Sequence, residues 1–260
     1  MLKLALVDLK CSIASWRLWT LLGWLEVRQR YARSRVGPFW LTISMGVMIL
    51  ALGFLYARLF KQDIHSYLPM LCLGLLAWTF ISSVMTDGCN CFLQAEGIIL
   101  QTRMPFTVHV LRSLYRNLIV LGHNAAVYVL VAIYFQISLN AASLLVIPGL
   151  AIQLLNGFWI SLLLGMICAR FRDVLPIVAS LIQIGFFMTP ILWSPDSLGR
   201  RHWIADFNPL YAMVELTRAP LLGQLIPLQL WCLALATTAG GLLLTLLFFV
   251  RFRARIPYWI

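Results

Sequence analysis

Five stretches of this 260-residue chain hold no Asp, Glu, Lys or Arg, and nearly all its charge falls in the gaps between them. The stretches are residues 36–57, 66–86, 117–169, 174–195 and 219–250, with lengths of 22, 21, 53, 22 and 32. A helix needs about 20 apolar residues to cross a bilayer core of about 30 Å. The longest stretch fits a hairpin of two spans and each of the others fits one. The expectation is an all-α polytopic membrane protein with six spans, at 39–60, 67–88, 117–135, 143–169, 174–193 and 227–250.

Composition and charge agree. The chain is 62% hydrophobic and 11% charged, against about 25% charged in soluble domains. Its net charge of +11 first suggests an anionic partner, but the distribution points elsewhere. With both termini in the cytoplasm, the inner side takes 15 basic and 5 acidic residues and the outer side takes 5 and 4. That asymmetry is the positive-inside bias of an integral membrane protein. A nucleic-acid partner would need a basic groove with stacking aromatics, and the pattern demands none.

The segments between spans carry the local signals. Residues 1–38 are read as cytoplasmic, with an interfacial helix around 17–35. Trp16, Trp19 and Trp24 flank a short apolar piece there, and Arg28, Arg30, Arg33 and Arg35 follow. Trp and Arg settle at headgroup level. Residues 89–105 form an inner segment with Glu96, the apolar Ile98, Ile99 and Leu100, and Arg103, closed by Pro105. A proline cannot continue a helix interior, so a short helix ends before it and another begins near residue 106. Arg112 and Arg116 in that next helix are expected to snorkel to the headgroups. Residues 194–223 are too polar to span and too apolar for a plain loop. Short re-entrant outer helices fit, since irregular backbone at membrane depth must be buried in protein or line a watery cavity.

Several chemistries are missing. The three lysines, Lys3, Lys10 and Lys61, stand in no phosphate-binding loop, so ATP hydrolysis is expected on a separate subunit. The spans are nearly free of ionisable groups, His123 being the main exception, which argues against ion or proton coupling. His202 and Asp206 are four apart on the outer side and could pair. Cys89 and Cys91 lack the spacing of a zinc site and read as small apolar fillers; no metal is expected. Trp40, Trp78, Phe80, Trp159, Phe186, Phe187 and Trp193 offer flat faces on which the C–H faces of sugar rings could pack.

Five motifs in order carry a resemblance: RYARSRVGPFW (30–40), ILQTRMPF (99–106), RFRDV (170–174), MTPILW (188–193) and NPLYAMVELTRAPLLG (208–223). Together with six spans they resemble the membrane subunit of type-2 ABC exporters for cell-surface polysaccharide, nearest to the O-antigen and teichoic-acid permeases. The resemblance implies a homodimer in the bacterial inner membrane, paired with two ABC ATPase subunits that hold the ATP and Mg, with no cofactor on this chain. It implies an undecaprenyl-pyrophosphate-linked glycan as substrate, moving between the two copies. Glu96, Ile98, Ile99, Leu100 and Arg103 would then couple to the ATPase, and the four arginines from Arg28 to Arg35 would meet the lipid pyrophosphate. Asn208, Pro209, Tyr211, Glu215 and Arg218 would belong to a periplasmic gate. A type-2 permease for drugs or lipids, and a membrane-embedded transferase acting on lipid-linked sugars, stay open as alternatives.

Overall fold

The structure is a computed structural model that describes residues 2–31, 37, 39–195, 199 and 203–260. Twelve α-helices run through the described residues, with no strand among them. Helices α1 (Leu2–Ala14) and α2 (Trp16–Tyr31) precede the first long apolar helix, α3 (Phe39–Leu59). They are followed by α4 (Ile64–Asn90), the short α5 (Glu96–Gln101), α6 (Thr107–Tyr134), α7 (Val146–Arg170) and α8 (Val174–Met188). The chain then continues through α9 (Trp203–Asp206), α10 (Pro209–Leu221), α11 (Leu228–Phe252) and α12 (Ile256–Trp259).

Five helical stretches are long and apolar enough to cross a membrane: Phe39–Leu59, Ile64–Asn90, Thr107–Tyr134, Ala141–Arg170 and Leu228–Trp259. The fifth expected span differs. In place of a helix over 174–193, α8 stops at Met188 after 15 residues, about 22 Å at 1.5 Å per residue. The cause is local. Thr189 precedes Pro190, and proline's ring disfavours the helical region for the residue before it. Thr189 is accordingly extended, at φ −91° and ψ 135°.

Packing centres on α4. It touches α3, α6, α7, α8 and α10, and most of its apolar length is buried. Tyr67, Leu68, Leu71, Cys72, Leu75 and Trp78 of α4 join Ile49 of α3 and Val127 and Val131 of α6 in the largest apolar core. By contrast α3 and α11 are mostly exposed, and α3 leaves an apolar groove of about 820 Å³ beside α6. Small residues let membrane helices approach closely. The sharpest case is Gly149 on α7, where an added Cβ would lie 2.1 Å from the carbonyl oxygen of Leu216. Only glycine lets α10 lie that close.

A second core lies at the end that holds both chain termini. Ala5 of α1, Phe92 before α5, Val110 of α6, Met166 of α7, Phe249 of α11 and Ile256 of α12 are buried together there. The C-terminal residues thus pack on the body through Ile256.

Candidate functional site

The hairpin of residues 89–106 is anchored at one edge and open at the other. Phe92 and Ala95 are fully buried, which fixes the turn leading into α5. Glu96, Leu100 and Arg103 are exposed, and Ile98 and Ile99 are half-buried. Thr102 is extended, the chain turns tightly at Arg103 with Met104 N–H donating to the Thr102 carbonyl at 3.0 Å, and α6 starts at Thr107.

What holds the hairpin comes from the first helix of the chain. Asp8 Oδ2 accepts from the backbone N–H of Phe106 at 3.1 Å, and Oδ1 accepts from the N–H of Thr107 at 3.1 Å and its hydroxyl at 2.8 Å. A carboxylate at a helix N-terminus satisfies orphan N–H groups and complements the helix dipole. Asp8 thus caps α6 from another helix. Its side chain is fully buried, and Arg253 Nη2 reaches Oδ2 at 2.9 Å. The Arg253 guanidinium also lies 5.3 Å from the Phe106 ring. The 89–106 hairpin is therefore tied to both α1 and the C-terminal segment.

One turn deeper lies a buried charge cluster. Glu26 of α2 meets Arg112 Nε at 2.9 Å and Arg116 Nη1 at 2.5 Å. Arg116 Nη2 also reaches Asp87 of α4 at 2.8 Å, and the Asn117 amide donates to Asp87 at 2.8 Å. The expected snorkelling of Arg112 and Arg116 is corrected here: their side chains are only 6% and 7% exposed. Two carboxylates within reach hold them inside, because an unpaired buried charge costs several kcal/mol, about 3–5. The Trp19 and Tyr115 rings meet edge-on at 5.7 Å beside the cluster. Arg28 and Arg30 are exposed and take no part; Arg33 and Arg35 lie outside the described residues.

At the opposite end, the chain breaks on either side of α10, at residues 189–195, 207–208 and 222–223, are stapled by side chains. Asn208 caps α10: Oδ1 accepts from Leu210 N–H at 2.9 Å and Tyr211 N–H at 3.4 Å. Its amide reaches back to the Met188 carbonyl at 3.3 Å. Pro209 stands at the first helical position, where its missing N–H costs nothing. Arg218 donates to the Pro190 carbonyl at 2.6 Å and to Glu215 at 2.9 Å, all buried, with Tyr211 5.7 Å from its guanidinium. Burial, with Glu215 alongside, pushes the Tyr211 phenol above its ordinary range.

The long helices supply the other staples. Tyr67 of α4 donates to the Leu192 carbonyl at 2.6 Å, Tyr128 of α6 to Leu221 at 2.5 Å, and Gln153 of α7 to Met213 at 2.7 Å. Asn140 donates to Gly223 at 2.9 Å. Carbonyls freed by broken helices thus find donors inside the protein, as a low-dielectric setting requires. His202, once considered a partner for Asp206, lies outside the described residues.

The seven aromatics fall into buried, half-buried and exposed sets. Trp78 and Phe80 are buried in the chain's own core, and Trp78 packs on Phe186 at 5.7 Å. Trp159 lies flat on Gly241 of α11, where a Cβ would be 2.1 Å from the ring, and its Nε1 donates to Asn156 at 2.8 Å. Phe186 and Trp193 are half-buried, Trp193 Nε1 donating to Phe187 O at 3.2 Å. Trp40 on α3 and Phe187 on α8 stay open, at 60% and 62% exposure.

Sequence reasoning missed Asp8, Glu26, Asp87, Tyr67, Tyr128, Gln153 and Arg253. No local pattern marks a pair such as Asp8 and Arg253, 245 positions apart. One clue was present: Asp87 closes an uncharged run on the side where Arg112 and Arg116 begin the next.

Mechanically, α4 and α6 run unbroken between the two ends. Thr107 at the start of α6 is held by Asp8, and Tyr128 near its other end holds α10. α4 joins the Asp87 cluster to the Tyr67–Leu192 staple. The acidic and basic side chains of these two clusters and of the Glu215–Arg218 pair are engaged by one another.

Comparison with known proteins places this arrangement. Two O-antigen export system permease proteins RfbA of Klebsiella pneumoniae are 25% and 26% identical to the chain, each over 73% of it and 74% of the relative. A protein of that name from Myxococcus xanthus is 22% identical over the same shares. Residues 17–222 match the ABC-2 type transporter family, a stretch that holds the charge cluster, the 89–106 hairpin and the stapled α10, and the chain is accordingly a membrane-spanning member of that family.

Proposed function

We propose that the chain is the channel-forming subunit of an ATP-driven exporter that moves a lipid-linked cell-surface polysaccharide, O-antigen-like, out across the bacterial inner membrane. Two copies would enclose the path, and each would engage one ATPase subunit through the exposed edge of the 89–105 hairpin. The termini and this hairpin would face the cytoplasm, and residues 194–223 would form the periplasmic gate. ATP and Mg would reside on the partner, and an undecaprenyl-pyrophosphate carrier would bring the glycan.

The observation that carries the reading is the similarity to permeases named for O-antigen export across 73% of the chain. The geometry supports it. Leu100 projects from a six-residue helix at 59% exposure, suited to a groove in a soluble partner. The exposed Ile177, Leu181, Ile184 and Phe187 make a stripe along α8, which is too short to span alone and suits cover by a second copy. Arg28 and Arg30 remain unburied at the α2 end, and Arg is the suited donor for phosphate.

The test is a deletion strain. Loss of this chain should leave lipid-linked glycan on the cytoplasmic side and none at the surface, with export restored by the wild-type sequence but not by Leu100→Asp. If no glycan accumulates while a drug or lipid does, the drug- or lipid-permease reading replaces this one. A transferase reading loses ground because Glu215, one of its few outer acidic candidates, is engaged by Arg218.

A further inference from the structure

Helix α1 has three distinct sides. Ala5, Asp8 and Ser12 turn inward and are buried. The exposed Leu2, Leu6 and Ile13 share one flank, and Leu4, Val7 and Cys11 share another. At 3.6 residues per turn these flanks are centred about 160° apart. Lys3 and Lys10 lie between them, on the side away from the body. A helix resting on a bilayer turns one apolar flank toward lipid. A second flank nearly opposite cannot share that contact.

That second flank opens on a notch of about 380 Å³, where Val7 and Cys11 face Ile99, Arg103, Pro105 and Arg253. The acid in the notch is already engaged, since Asp8 is held by Arg253 and by the backbone N–H groups of residues 106 and 107. What remains for a visitor is apolar wall and the exposed cation of Arg103. The notch is also continuous with the exposed edge of α5, which shares Ile99 with it.

We propose that this notch receives an apolar projection of the ATP-hydrolysing partner, edged by a carboxylate that pairs with Arg103. α1 is then a second docking element beside α5. This rests on the exporter reading, because it takes the partner from there. The choice of occupant follows from the cationic rim and from continuity with the hairpin edge.

Cys11 is a native reporter. Cys11 and Cys232 are exposed, and Cys72, Cys89, Cys91 and Cys168 are buried. The full-length Cys232→Ser chain, in nanodiscs of phosphatidylethanolamine and phosphatidylglycerol, is labelled with maleimide-polyethylene glycol with and without its purified cognate ATPase. Labelling of Cys11 should slow at least tenfold in the complex. Val7→Glu should weaken co-elution of the ATPase at least tenfold without moving the thermal unfolding midpoint. Unchanged labelling in the complex overturns the proposal. So does shielding by the nanodisc alone, which would turn this flank to lipid, or shielding by a second copy without ATPase. If the wild-type chain binds no ATPase, the exporter reading itself falls and this inference with it. If Leu100→Asp abolishes binding while Val7→Glu and Cys11 protection show nothing, only this inference falls.

Discussion

Asp8 and Arg253 lie 245 positions apart in the chain, and their carboxylate and guanidinium meet at 2.9 Å behind the start of α6. The contact closes the inner end of the molecule. α1, the hairpin, α6 and the C-terminal segment become one unit, and a pull on the hairpin reaches α6 directly.

The first prediction concerns that contact. Arg253→Ala leaves the fully buried Asp8 carboxylate without its cation and should cost about 3 kcal/mol. The Asp8→Asn, Arg253→Ala double variant should recover part of the loss, because the uncompensated charge is gone. Thermal unfolding of the four purified proteins in detergent gives the cycle. Strict additivity would show that the two side chains are uncoupled.

The cluster of Glu26, Arg112, Arg116 and Asp87 should behave as one unit. Glu26→Ala strands the buried Arg112 guanidinium and leaves Arg116 with Asp87 alone, and should lower stability by about 3–5 kcal/mol. A double-mutant cycle between Glu26 and Arg112 should give a coupling of about 1–3 kcal/mol, as expected for residues in one network. A coupling near zero would mean that the arginines find other partners.

Tyr128→Phe removes the donor to the Leu221 carbonyl and nothing else. Hydrogen bonds in membrane proteins average about 0.6 kcal/mol and reach about 1.7, so the fold should persist. Hydrogen exchange should rise over residues 209–223 and stay unchanged over 96–101. A uniform rise, or none, would show that this bond does not hold the outer helix in particular.

The aromatics give a contrast between core and surface. Trp78→Ala should destabilise by about 3–5 kcal/mol through the cavity it leaves. Trp40→Ala and Phe187→Ala should leave the unfolding midpoint within about 1 °C, since exposed substitutions stay within about 0.5 kcal/mol. If the open rings contact the glycan, export by these two variants falls while their fold holds. Wild-type export from both would remove them from the path.

Much of the architecture was legible before any coordinates. Uncharged runs of about 20 residues mark membrane helices because charge in hydrocarbon is costly, and Pro105 marks the end of the hairpin because it cannot continue a helix. The stop of α8 was legible too, in Thr189-Pro190, but the run of apolar residues outweighed it. Arg112 and Arg116 show the other kind of miss. Read alone, two arginines at a membrane edge belong at the headgroups. Glu26 and Asp87, 90 and 29 positions before Arg116, bring them inside.

The sequence by itself determined the class of this protein, the rough placement of its spans and the polar segments between them. Those follow from hydropathy and backbone chemistry, which act over a few turns of chain. Only the tertiary structure decided which charges pair, which aromatics are core and what holds the outer carbonyls. Such choices depend on contacts between residues far apart in sequence, where burial leaves each polar group the need for a specific partner and only the folded arrangement supplies it.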